Sequence, residues 1–197
     1  ISSVQKVNLA IKLPDKINQK DKKYILWVAR CEIWKNPSLI IEVSKLFPNE
    51  KFLMICPKQK HNINFFNNIK RQARVIPNLT FINYVPFKKI QSYFYEAKIF
   101  VNTSDAEGFT YTLIQSGIAS TPVVYYKVNP DRVITRYGLG FFANGNLIKM
   151  TDDIKKLLED PIMWQNKSNA IHNYVVNHHD IAKICQKWRT IIQSVLK

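Results

Sequence analysis

The sequence predicts an α/β domain: a Rossmann-like doubly wound parallel sheet of about six strands, with helices on both faces and a helical C-terminal end. Three observations predict it. From Tyr24 onward, short dense apolar runs alternate with stretches whose apolar residues recur at helical spacing. The dense runs show little period-two alternation, as expected of strands buried on both faces of a parallel sheet. Polar and basic residues gather just after several of these runs, where such sheets bind ligands.

The elements follow in order. Residues 1–23 alternate apolar and polar and then become charged ("KLPDKINQKDKK"), which reads as a short strand and an exposed linker. "YILWVAR" is the first buried strand. "KNPSLIIEVSKLF" places Leu39, Ile40, Val43, Leu46 and Phe47 on one helical face, with Asn36 as N-cap and Pro37 at the first helical position. "KFLMIC" is the second strand, and "NINFFNNIKRQA" a helix. "LTFINYV" is the third strand, followed by the helix "FKKIQSYFYEA". "KIFVNTS" is the fourth strand, "TPVVYY" the fifth and "LGFFA" a short sixth. After Thr151 the chain is helical to its end, with helix starts at Pro161 and Asp180.

Composition limits what this domain can be. A length of 197 residues with 46% apolar content suffices for one well-buried domain. No apolar run approaches the roughly 20 residues that span a bilayer. The opening "ISSVQKVNLA" has neither an initiator Met nor a secretory core, so the chain reads as an excised or processed piece. Cys31, Cys56 and Cys185 are odd in number and lack metal-ligand spacing, so they read as reduced thiols of a cytoplasmic protein. His178 and His179 are adjacent and read as solvated rather than ligating, and His61 and His172 have no evident partners. No metal site is expected.

Charge is the strongest bulk signal. The 29 Lys and Arg against 14 Asp and Glu give +15. Such an excess attracts nucleic acid, phosphorylated ligands or an anionic membrane surface. The charges are scattered in a chain rich in Lys, Ile and Asn, so codon bias explains them equally well.

The stretch "NTSDAEGFTYTLIQSG" carries the chemistry. Gly108 permits a tight turn and brings backbone N–H groups close to a ligand. A helix beginning near Phe109 would present unsatisfied N–H groups and a positive dipole end, an anion site. Gln115 lies about 12 Å beyond Glu107 if the helical rise of roughly 1.5 Å per residue holds between them. That span suits a diphosphate-linked sugar. Taken alone, the stretch also fits a Glu that favours a helix start and a Gln on the surface. In "RCEIWK", Arg30 leaves the first strand and Lys35 precedes the next helix, so the two cations can bracket a diphosphate.

Together these stretches resemble the donor-binding, C-terminal half of retaining GT-B glycosyltransferases, specifically glycosyltransferase family 4 (group 1). "VARCEIWKNPSLIIEVSKLFPNEKFLMI" is similar to the family's Arg-to-Lys signature with its helix and next strand. "FINYVPFKKIQSYFYEAKIFVNTSDAEGF" resembles its nucleobase loop and Glu-Gly-Phe turn, and the resemblance runs from about Tyr24 to Ala143. It implies that Arg30 and Lys35 neutralise the donor diphosphate and that Glu107 contacts the transferred sugar. Gly108, Phe109 and Thr110 would offer backbone N–H groups, and Val85 and Pro86 would lie beside the nucleobase. Gln115 stands where most members carry a Glu that holds the ribose. Ala29 and Asn36 stand where glycines are usual, and "MICPK" lacks the glycines that commonly follow the second strand.

The resemblance implies a donor domain over 24–197, with 1–23 a linker or N-terminal extension. It further implies sugar transfer with retained configuration from a nucleotide-diphosphate-sugar, without a metal or other cofactor. The acceptor, a glycan or lipid-linked molecule of cell-surface polysaccharide or glycolipid synthesis, would be held mainly by an N-terminal domain. Without that domain these residues should bind donor weakly and catalyse little. The excess charge would bring the cytoplasmic protein to the inner face of an anionic membrane. Two other classes stand beside this one: a nucleotide-sugar-binding module without catalysis, and a basic nucleic-acid-binding domain. Against the latter, the aromatic residues lie mainly in apolar runs and no RNA-recognition signature is present.

Overall fold

The computed structural model describes residues 21–195. The strand expected before Asp21 lies outside them. Six parallel strands form one sheet: β1 (Tyr24–Val28), β2 (Phe52–Ile55), β3 (Leu79–Ile82), β4 (Ala97–Asn102), β5 (Val123–Tyr125) and β6 (Gly140–Phe142). Their order is β3-β2-β1-β4-β5-β6. Successive residues of a strand face opposite sides, so each strand divides its apolar side chains between two cores. Ile25, Trp27, Ile99 and Val101 join one core, and Leu26 and Phe100 join the other. Both faces need a cover of helices, and both have one. Helices α1 (Pro37–Lys45), α2 (Ile63–Arg74) and α6 (Leu147–Glu159) supply core residues on the first side. Helices α3 (Phe87–Tyr95), α4 (Tyr111–Ile118), α5 (Val133–Arg136) and α7 (Pro161–His178) supply them on the second. Helix α8 (Ile181–Val195) follows α7 and buries one residue, Ile184.

This is the doubly wound architecture the sequence predicts, with its boundaries moved. Each strand ends one to three residues before its apolar run does, although the first residue after several strands still bonds across to the neighbouring one, as Cys56 N does to Ile82 O at 2.9 Å. Ala97 belongs to β4 rather than to the helix before it. α6 starts at Leu147, ahead of the expected Thr151, because Asn146 accepts a hydrogen bond from Lys149 N (3.0 Å) and caps it. Pro161 does open α7, with Asp160 accepting from Met163 N at 2.8 Å. Asp180 precedes α8 and accepts from Ala182 N at 3.0 Å. Among the described residues no helix is long and apolar enough to cross a membrane. Cys31, Cys56 and Cys185 are all free thiols, the first two buried.

The strand order reverses between β1 and β4. From β1 the chain winds outward through β2 to β3, then crosses to β4 on the other side of β1 and continues outward to β6. The loops after β1 and β4 therefore diverge from each other and leave a crevice beyond their carboxyl ends. "RCEIWK" is the loop after β1, and "TSDAEGFT" is the loop after β4. The two sequence motifs are neighbours by topology.

Candidate functional site

Asn36 sets the geometry of the first loop. Its backbone is left-handed (φ 49°, ψ 56°), a conformation that Asn tolerates better than most residues with a side chain. It sits at the N-cap position of α1 but makes no side-chain capping bond. The expected capping role is thus replaced by a conformational one. The short 3₁₀ turn Ile33–Lys35 precedes it. Thr103, just after β4, holds this turn: its Oγ1 lies 2.8 Å from the Lys35 carbonyl and 2.9 Å from that of Asn36, which share its one hydroxyl proton. Trp27 Nε1 donates to the same oxygen at 2.8 Å. Asp105 N donates to the carbonyl of Trp34, also at 2.8 Å.

These bonds bring Lys35 against Glu107. Lys35 Nζ lies 2.5 Å from Glu107 Oε1, and the two side chains are only 13% and 12% exposed. Ser104 Oγ donates to the same carboxylate oxygen at 2.6 Å, and Asn102 Nδ2 lies 3.5 Å from it. Asn102 in turn accepts from Ser104 N at 2.9 Å. A buried carboxylate is costly unless it is paired and hydrogen-bonded, and Glu107 is both. Arg30 differs: it is exposed, two residues beyond β1, with no side-chain partner among the described residues. The crevice thus holds one cation already committed to a carboxylate and one still open to an anion.

The turn at Gly108 does not depend on glycine's backbone freedom. Its φ is not positive, and a Cβ built there would meet nothing within 4 Å, so neither backbone strain nor packing demands glycine. What glycine leaves is open space in front of the turn. The helix also begins later than expected, at Tyr111, with Thr110 at its N-cap. The Thr110 hydroxyl is not a helix cap; it lies 2.9 Å from the hydroxyl of Tyr125, whose phenol burial pushes up in pKa. Among the described residues the backbone N–H groups of Gly108, Phe109 and Thr110 donate to nothing, and Leu113 N is the first to bond back, to Thr110 O at 3.2 Å. Three adjacent donors and a helix N-terminus therefore border the Lys35–Glu107 pair.

Gln115 lies in the second turn of α4 and is 5% exposed, so it is not a surface residue. Its side-chain amide makes no hydrogen bond to a described residue, while its carbonyl accepts from Gln91 Nε2 at 3.1 Å. Since residues 107–110 precede the helix, the expected 12 Å helical span from Glu107 does not apply. Val85 and Pro86 separate. Val85 is buried in the core beside Ile90 and Phe94, and Pro86 is exposed at the start of α3. Of these two, only Pro86 has its side chain open to a ligand.

The histidines also depart from expectation. His179 is buried, not solvated, with its ring 4.9 Å from that of Phe109 and 5.3 Å from that of Tyr174. Phe109 is thereby anchored by the end of α7. His61 pairs with Glu32 at 3.1 Å, and His172 Nδ1 lies 3.1 Å from the carbonyl of Gly117. Among the described residues no group of three or more His, Cys, Asp and Glu could hold a metal ion. Ser104 belongs to the ligand-side run that the sequence marks after the fourth strand, whereas Asn102 and Thr103 join the site without having been singled out in the sequence. Polar side chains ending an otherwise apolar strand were the signal for them.

The profile of the family described as glycosyl transferases group 1 matches residues 11–176. The chain belongs to that family. A search of curated proteins finds no match. Solved structures resemble the chain over most of its length. Anabaena Alr3699/HepE in complex with UDP superposes with a TM-score of 0.77 at 15% identity, covering 88% of this chain and 49% of that one. S. aureus TarM, in complex with fondaparinux, α-GlcNAc-glycerol and UDP, gives 0.73 at 19% identity, covering 93% and 38%. The C-terminal domain of the group 1 glycosyl transferase LpcC from Francisella tularensis gives 0.72 at 16% identity, covering 86% and 96%. The chain thus has the fold of one Rossmann-like half of a GT-B glycosyltransferase. It spans about half the length of HepE.

Proposed function

We propose that residues 24–197 form the donor-binding domain of a retaining, family 4 glycosyltransferase, with 1–23 a linker or N-terminal extension and the acceptor bound mainly by a separate domain. The observation that carries this reading is the convergence of Arg30, the Lys35–Glu107 pair and three free N–H groups at the sheet's switch point. In this reading a nucleotide-diphosphate-sugar lies across the crevice. Arg30, Lys35 and the N–H groups of residues 108–110 take up the charge that develops on the leaving diphosphate, with no metal ion or other cofactor called for. Glu107 faces the sugar, fixed by Lys35 and Ser104 so that it need not reorganise as the bond breaks. Gln115 turns its unengaged amide to the ribose, and Pro86 borders the base. That HepE and TarM were solved with UDP supports a uridine nucleotide as the first donor to try.

The acceptor is proposed to be a glycan or lipid-linked molecule of cell-surface polysaccharide or glycolipid synthesis. The charge of +15 supports a cytoplasmic enzyme meeting it at an anionic membrane. The test is Glu107→Ala in the full-length protein. Sugar transfer should fall by orders of magnitude while nucleoside diphosphate binding changes by less than about tenfold, because the nucleoside diphosphate lacks the sugar. Equal losses in both would take Glu107 away from the sugar.

A further inference from the structure

Glu32 is buried, 1% exposed, in the middle of the loop that carries Arg30 and Lys35. No ligand-facing role accounts for a carboxylate there, and burial is unfavourable unless its lone pairs are used. They are used by the loop after β2. Asn62 Nδ2 donates to Glu32 Oε2 at 2.6 Å, and His61 Nε2 lies 3.1 Å from Oε1. Beside them, Cys31 N donates to the carbonyl of Pro57 at 2.9 Å. The backbone of Glu32 is tied to Arg30 as well: Glu32 N donates to Arg30 O at 2.8 Å, closing a three-residue turn.

We infer that Glu32 is a positioning residue for the diphosphate-binding cations, acting through Asn62 and His61; this rests on the donor-site reading above. The loop is held from both flanks. On the β4 side, Thr103 and Asp105 grip the turn that carries Lys35. On the β2 side, Glu32 grips the turn that carries Arg30. Arg30 has no side-chain partner of its own among the described residues, so the direction in which its guanidinium leaves the sheet is set by that turn. Two donors converge on Glu32, and an ionised carboxylate accepts at both oxygens, whereas a Gln would turn an NH₂ toward one of them. The expected order of function is therefore Glu, then Gln, then Ala.

The test measures binding of UDP, GDP and ADP, and of their nucleosides, to the full-length protein by isothermal titration. Glu32→Ala and Asn62→Ala should each weaken the nucleoside diphosphate about tenfold or more, with Glu32→Gln between them and the parent. Nucleoside affinity should stay within about twofold, since only the diphosphate is held by this loop. In an Arg30→Ala, Lys35→Ala background, Glu32→Ala should add less than about twofold, because a positioning residue has nothing left to position. Equal weakening of nucleoside and diphosphate would overturn the proposal, and so would a full Glu32 effect in that background. If Glu32→Ala does not fold, Glu32→Gln and Asn62→Ala decide, and parental affinity in both overturns it. A parent protein that binds no nucleoside diphosphate would remove the donor-site reading and this proposal together. Parental binding with unaffected variants removes this proposal alone.

Discussion

Replacing Lys35 by Met keeps the aliphatic stem and removes the ammonium, leaving the Glu107 carboxylate 12% exposed without its cation. Removing one partner of a fully buried pair costs about 3–5 kcal/mol, because the remaining charge is stranded. Glu107 is not wholly stranded: it retains the Ser104 hydroxyl at 2.6 Å and a sliver of solvent. The expected loss is therefore lower, about 2–3 kcal/mol by that comparison. At roughly 2–4 °C per kcal/mol for a domain of this size, the melting temperature falls about 4–12 °C. Arg30→Ala makes the contrast. With an exposed side chain and no partner, it should stay within about 0.5 kcal/mol of the parent. Adding Glu107→Gln to Lys35→Met should restore part of the loss, since the unpaired charge goes with it. Urea denaturation of the four proteins measures the free energies, and thermal melts of the same proteins measure the temperature shift. A Lys35→Met variant as stable as Arg30→Ala would refute the view that the two cations differ in kind.

Three further outcomes are expected. Gly117→Ala should destabilise by about 1–3 kcal/mol in urea, because the added Cβ would lie 2.3 Å from Val175 Cγ2 and 2.9 Å from the Ile171 carbonyl, part of a helix backbone that cannot yield. His178 has its pKa lowered by burial and by the nearby cations Lys183 and Arg136. Its neutral form is thus favoured by the fold, so it contributes stability above its ordinary value of 6.5 that is lost as pH falls through the lowered one. His178→Gln should flatten the stability profile on that acid side, and an unchanged slope would contradict it. Gln115→Glu should keep nucleotide affinity within about tenfold, or roughly 1.4 kcal/mol, and Gln115→Ala should lose more by titration calorimetry.

The sheet was legible because its determinants are local. A run such as "YILWV" is dense and β-branched enough to demand burial on both faces, and the residues after it are polar enough to mark a loop. The helix starts at Pro161 and Asp180 were legible for the same reason, since caps and proline act within one turn. Other features depend on residues distant in the chain. Asn36 turns left-handed where Thr103, 67 positions away, contacts the carbonyls on either side of its α-carbon. Val85, expected beside a nucleobase, instead joins the core cluster that holds Ile90 and Phe94 of α3. The solvated reading of His179 failed because Phe109, in the Glu-Gly-Phe turn, packs on it from across the domain. Nothing local in the sequence marks Glu32, because its partners His61 and Asn62 lie about thirty positions away. The motifs of the site could be read in one dimension, but the pairing of Lys35 with Glu107 depends on the reversal of strand order between β1 and β4.

The crevice is proposed to hold a nucleoside diphosphate through Arg30. Titration calorimetry of UDP, GDP and ADP into the full-length protein, side by side with Arg30→Ala, tests it most directly. At least one of the three should bind the parent, and the variant should bind it more weakly by about 1.5–3 kcal/mol, the worth of a charge-assisted contact, while melting at the parental temperature. No binding of any of the three, or the same affinity with and without the Arg30 guanidinium, would contradict the assignment.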